Sequence, residues 1–224
     1  MSVATTIRDE DLTLSTAMRE GSRAEHVAAE SSVFMAELLD GKLTAAAYAD
    51  LLLRLRRVYS ALEETVTANA ADPIVAAVHD TALERLAAID ADLAYWAPGV
   101  DAENINSPAA AAYVARIRAG GAWGGLLLAH HYTRYLGDLS GGQVIGRVLQ
   151  RTFDLPEGQG ISFYDFPEIP KPKPYKDNYR ASLDGLGLSA DDVTRVVDEV
   201  RVVFSLNQGL FDELGERIAE YRTA

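Results

Sequence analysis

Four glycines fall within ten consecutive positions, at 137, 141, 142 and 146, of a stretch whose flanks read as helix. Leu126-Leu127-Leu128-Ala129 precedes it, and Val144, Val148 and Leu149 continue the pattern beyond. Glycine inside a helix costs about 0.8–1.0 kcal/mol relative to alanine, so the missing side chains must make room for something. Two occupants fit. One is another backbone at a small-xxx-small crossing, with Gly137 and Gly141 four residues apart. The other is a flat ligand lying against a helix kinked at its glycines. Asp138 weighs toward the ligand, because a carboxylate beside the most open part of a helix has no use in apolar packing.

The remaining chain limits what that ligand can be. At 224 residues, 48% of them hydrophobic, the protein has enough apolar material for one sizeable domain over 1–224. It has no cysteine, which excludes disulfides, thiolate metal ligands and iron–sulfur clusters and is consistent with a cytoplasmic location. No run approaches the ~20 apolar residues of a membrane span, and residues 1–12 read as a flexible polar lead-in without a signal-peptide core. The net charge of −12 argues against nucleic acid as a partner. An anionic ligand therefore requires a local basic cluster.

Helical signals run nearly throughout, and the predicted fold class is all-α. A first helix is expected over 14–39, with a break near Ser31-Ser32, and it stops at Gly41. Thr44 opens a helix over 45–68 whose stripe of Tyr48, Leu52, Leu55, Tyr59, Leu62 and Val66 follows the 3.6-residue period. Asp72-Pro73 and Ser107-Pro108 place proline at a first helical position. They start helical regions ending by Pro98-Gly99 and about Ala119. The proline-dense segment 155–174 reads as an extended surface loop, followed by a short helix over 175–183. Ser189 caps the last helix, which carries Val196, Val200, Val203, Phe204, Phe211 and Leu214.

Of the four histidines, His26 has the most suggestive neighbours. Arg19, Arg23, His26 and Glu30 are spaced i, i+4, i+7, i+11 and share one helix face. The arginines thus lie roughly 4–11 Å along the helix from the imidazole. A solvated face of ion pairs would show the same spacing. His130 and His131, beside the glycine-rich stretch, remain rival ligands, and His79 reads as structural. Tyr59, Arg134 and Asn207 put polar groups on otherwise apolar stripes, where each needs a partner.

The string Tyr-Thr-Arg-Tyr-Leu-Gly-Asp-Leu-Ser-Gly-Gly-Gln at 132–143 resembles the distal-helix signature of the haem oxygenases. The segment from Arg19 to Glu30 with Phe34-Met35 is similar to their proximal helix, Lys176, Tyr179 and Arg180 to their Lys-x-x-Tyr-Arg segment, and 204–211 to their last helix. The resemblance implies a haem oxygenase-like fold with haem between a proximal helix and the glycine-rich helix. It implies His26 as the iron ligand and Arg19, Arg23, Tyr132, Lys176 and Arg180 at the propionates; Glu30, one turn beyond His26 on the same face, is placed by its spacing to hold the other ring nitrogen. Gly137, Gly141 and Gly142 would approach the ring closely, with Phe204 and Phe211 lining the pocket. Tyr59, Arg134 and Asn207 would surround a catalytic Asp138 through water. The activity implied is ring opening to biliverdin, CO and ferrous iron. It uses O₂ and electrons from NADPH or reduced ferredoxin through an external reductase. The sequence shows no hydrophobic C-terminal tail, which separates it from the membrane-anchored members, so no membrane anchor is expected, and a monomer is the simplest state. A haem carrier or sensor would keep His26 and the basic cluster without needing Asp138. A cofactor-free helical interaction protein would use the glycines for crossing alone.

Overall fold

The computed structural model describes residues 13–156 and 158–223, so the lead-in at 1–12 lies outside the described residues. In chain order the α-helices are α1 (Leu14–Gly21), α2 (Arg23–Glu30), α3 (Val33–Leu39), α4 (Ala45–Ala68), α5 (Pro73–Ala76) and α6 (Leu86–Trp96). They continue with α7 (Pro108–Gly120), α8 (Gly124–Gly137), α9 (Gln143–Thr152), α10 (Pro172–Asp184), α11 (Ala190–Gly215) and α12 (Ile218–Tyr221). A π-helical segment, Asp138–Gly142, joins α8 to α9. No strand occurs among the described residues; Leu43 and Arg222 form an isolated bridge. The fold is all-α.

Two long helices organise the rest. The α4 stripe of Tyr48, Leu52, Leu55, Tyr59, Leu62 and Val66 is buried along its whole length, and α4 packs on α6 and α7. Helix α11 buries Val196, Val200, Val203, Leu210 and Leu214 and packs on α8 and on the N-terminal helices α1, α2 and α3. This arrangement holds α2 and the π segment on opposite sides of one cleft.

Several boundaries differ from the sequence reading. The segment 14–39 is three helices, broken at Ser22 as well as at Ser31-Ser32. The Ser22 hydroxyl donates to the Met18 carbonyl at 2.7 Å, and Ser32 caps α3 by accepting from the Met35 N–H. The region after Pro73 is a single turn, a 3₁₀ turn at Thr81–Leu83 and α6, not one helix. The proline-dense segment is not simply a surface loop. Phe163, Tyr164, Phe166 and Ile169 are buried in it, and α10 begins at Pro172 because proline is compatible with a first helical turn.

A buried carboxylate ties α7, α8 and α11 together. The Glu199 carboxylate on α11 accepts hydrogen bonds from Arg116 on α7 (Nε, 2.8 Å) and from His130 Nε2 on α8 (3.1 Å). Burial raises the Glu199 pKa, but those hydrogen bonds outweigh it and bring the group to about 2. Burial lowers that of His130, so its neutral ring donates from Nε2. A depressed carboxylate contributes stability above its unfolded pKa, about 4.5, and loses it as pH falls toward 2. We expect Glu199→Ala to lower stability by about 1–3 kcal/mol, since it leaves the buried His130 donor unmatched. Denaturant titrations should also show a shallower acid loss in Glu199→Gln than in the wild type between pH 4.5 and 2.

Candidate active site

One wall of the cleft is α2. His26 projects from it toward the π segment, with its ring 5.3 Å from that of Phe204 on α11 in an edge-on contact. The opposite wall is the α8–π junction. Gly137 (φ −62, ψ −49) and Gly142 (φ −54, ψ −37) have ordinary helical backbone, so no conformational need explains them. A methyl group built on Gly137 or Gly141 meets nothing within 4 Å, so no helix crosses there and both glycines face open space. Gly142 and Gly146 differ: their methyl groups would press on Tyr164 at 3.1 and 3.0 Å. Two of the four glycines therefore make a bare wall, and two seat an aromatic ring.

The space between the walls has two parts. An inner cavity of about 160 Å³ is lined by Met35, Leu51, Leu55, Phe163 and Phe211 with Asp138 and Asn207. It continues into an outer cleft of about 600 Å³ bordered by Arg19, Arg23, Tyr132, Ser140 and Arg180. His26, Thr133, Gly137, Gly141 and Phe204 line both parts. The result is a slot, apolar inside and basic at its mouth, with imidazole on one face and bare backbone on the other.

Around Asp138, four polar side chains from three helices and the π segment converge. The Tyr59 hydroxyl on α4 donates a short hydrogen bond to Asp138 Oδ2. Arg134 on α8 donates from Nε to that hydroxyl (3.0 Å) and from Nη1 to Asn207 Oδ1 on α11 (2.8 Å), and its Nη2 lies 3.6 Å from Asp138 Oδ1. Burial raises the Asp138 pKa above the ordinary carboxylate value, against the pull of Arg134 and the Tyr59 hydrogen bond. Tyr59 is likewise pushed up by burial and stays protonated. The chemical consequence is a carboxyl group beside an apolar cavity that takes up a proton more readily than a solvated one.

Comparison with known proteins bears on these features together. A sequence model of the family described as heme oxygenase matches residues 12–213. The chain belongs to the haem oxygenase family. It is 39% identical to a heme oxygenase of Porphyra purpurea over 94% of this chain and 90% of that one. The solved heme oxygenase of Leptospira interrogans superposes with a TM-score of 0.86 at 39% identity, covering 90% of this chain and 100% of that one. Heme oxygenase-1 of Synechocystis, solved in complex with heme, superposes with a TM-score of 0.87 at 34% identity, covering 93% and 95%.

Within this haem oxygenase the remaining site residues take different places. Arg19 and Arg23 are exposed at the mouth, and the acidic Glu20, which the spacing argument overlooked, lies between them at 2.9 and 3.9 Å. Lys176 is not among the residues that border the cleft; its Nζ donates at 2.7 Å to the hydroxyl of Ser140, which does border it, and so ties α10 to the π segment. The Glu30 side chain lies outside what the structure describes. His130 faces Glu199, while His131 Nδ1 lies 2.8 Å from the Tyr179 hydroxyl and burial lowers its pKa to about 3. Neither lines the cleft, so the sequence neighbours of the glycine stretch are held in the core. Tyr164 and Phe163 were missed because their segment was read as surface, although Ser-Phe-Tyr-Asp-Phe at 162–166 carried the aromatic signal.

The two kinds of glycine make a direct prediction. In ligand-free protein, Gly141→Ala should stabilise the fold by up to about 1 kcal/mol. Gly146→Ala should gain less or destabilise it, because the new methyl group meets Tyr164. Thermal unfolding of the two variants checks the sign, and Gly141→Leu should fold yet bind no flat ligand in the slot.

Proposed function

We propose that this protein binds haem in the slot and opens the ring to biliverdin, CO and ferrous iron, using O₂ and electrons from an external donor. The observation that carries this reading is the pairing of His26 with the bare backbone of Gly137 and Gly141 across one cleft. The residues present fit the group: an imidazole for the iron, a cleft of about 600 Å³ between His26 and the bare glycines for the ring, and basic groups at the mouth for the propionates. His26 would hold the iron through its imidazole. Arg19, Arg23 and Arg180, with Tyr132, would hold the propionates, and Phe204 and Phe211 would border the ring. Lys176 would act one step back, by fixing Ser140. When bound, haem supplies the iron that activates O₂ and the carbon that is oxidised.

The protein's own part is to steer and to protonate. Bare backbone at Gly137 and Gly141 lets the distal wall approach the ring without a side chain between them. Asp138 holds or relays a proton next to the inner cavity, and Arg134, Tyr59 and Asn207 fix the orientation of its carboxyl group. Burial shifts this carboxyl toward its protonated form relative to a solvated one, against the opposing pull of Arg134 and Tyr59. The basic mouth on an otherwise acidic protein suits an acidic electron donor such as a ferredoxin or flavin reductase. No helix among the described residues is long and apolar enough to cross a membrane.

Hemin titration should produce a saturable Soret band that, under air with ascorbate or an NADPH-dependent reductase, decays into biliverdin absorption with chelatable ferrous iron. A band that persists under those conditions would instead describe a haem carrier. Asp138→Ala should keep the Soret band and slow biliverdin formation by about 10²-fold or more; turnover at the wild-type rate would remove Asp138 from proton delivery. His26→Ala should lose the histidine-ligated ferrous–CO spectrum, and an unchanged spectrum would assign the ligand elsewhere.

A further inference from the structure

A flat ring held between His26 and the Gly137–Gly141 wall closes the open side of the inner cavity, because those residues line both the cavity and the outer cleft. Small molecules behind the ring then need another path to solvent. The wall is thinnest at one side chain. A separate surface cleft of about 430 Å³ runs along α9, lined by Gln143, Gly146, Arg147, Gln150, Ser162 and Asp165. Tyr164 lines this back cleft and also the inner cavity, and no other residue is common to the two.

The surroundings of Tyr164 fix its backbone and leave the ring as the partition. The Asp92 carboxylate accepts from the N–H groups of Ser162 and Phe163, both at 2.8 Å. The Gln143 side chain donates to the Tyr164 carbonyl at 2.7 Å. The ring itself lies in a notch of α9 and the π segment that exists only because Gly142 and Gly146 have no side chain. Two other rings border it, Phe163 at 4.8 Å and Tyr48 at 6.3 Å between centroids. Tyr164 is thus the side chain that stands between the two spaces. The inner cavity joins an apolar lining of Met35, Leu51, Leu55 and Phe163 to the polar Asp138 and Asn207, which suits small neutral molecules and water.

Resting on the haem reading above, we propose that the Tyr164 ring is a shutter between the back cleft and the inner cavity. Through it CO, O₂ and water exchange with solvent while haem covers the front. Laser flash photolysis of the ferrous haem–CO complex measures this passage directly, as the fraction of CO that escapes and the bimolecular rate of its return. Tyr164→Ala should raise both several-fold, Tyr164→Trp should lower both, and Tyr164→Phe should match the wild type. Wild-type kinetics in the Ala and Trp variants, with a native CO Soret band, would overturn the shutter and leave the haem reading standing. Should Tyr164→Ala fail to fold by circular dichroism, Tyr164→Leu and Tyr164→Trp decide by the same criterion. A wild-type protein with no haem–CO band would refute the haem reading and the shutter together.

Discussion

A buried guanidinium is the constraint on which the site depends. Arg134 is enclosed by protein, and a charge in that position is costly unless it is paired and hydrogen-bonded. Its partners lie on three other elements: it donates to Tyr59 on α4 and Asn207 on α11, and it pairs in charge with Asp138 on the π segment. Satisfying one cation therefore fixes the relative register of the helices that frame the cavity. It also fixes where Asp138 points. The same burial that raises the carboxyl pKa is what makes the arginine necessary, so stability and proton handling arise from one network.

The other half of the site is made by what is left out. A helix with four glycines in ten positions is weak by itself, and the π segment at Asp138–Gly142 widens it where those glycines cluster. Neighbouring structure compensates. Tyr164 fills the notch at Gly142 and Gly146, and Lys176 ties Ser140 to α10. Of the four glycines, Gly137 and Gly141 stay uncovered, opposite His26.

Charge is distributed with the same economy. The chain carries a formal −12, yet Arg19, Arg23 and Arg180 gather at one mouth, from α1, α2 and α10. Glu20 tempers that cluster and orients the two N-terminal arginines. Elsewhere a buried carboxylate, Glu199, organises Arg116 and His130 into a purely structural contact, which removes from the site a histidine only eight residues before Asp138 in sequence.

The sequence by itself determined the helical class, the two long amphipathic stripes, the proline and serine starts, and the stretch at 137–146 around which the site forms. Those features are local: a 3.6-residue period, a capping side chain or a run of glycines is written in adjacent positions. The sequence also held the residues of the Asp138 network, as polar interruptions of apolar stripes, but not their partners. Tertiary structure alone decided which glycines face a ligand and which face Tyr164, because identical residues differ only in what packs against them. It gave the physical ground for separating His26 from His130 and His131, since burial and partners, not spacing, set which imidazole can reach a cleft. It also carried the aromatic segment 162–166 into the core, a burial that the surrounding prolines concealed, because proline forbids helix without forbidding an interior position.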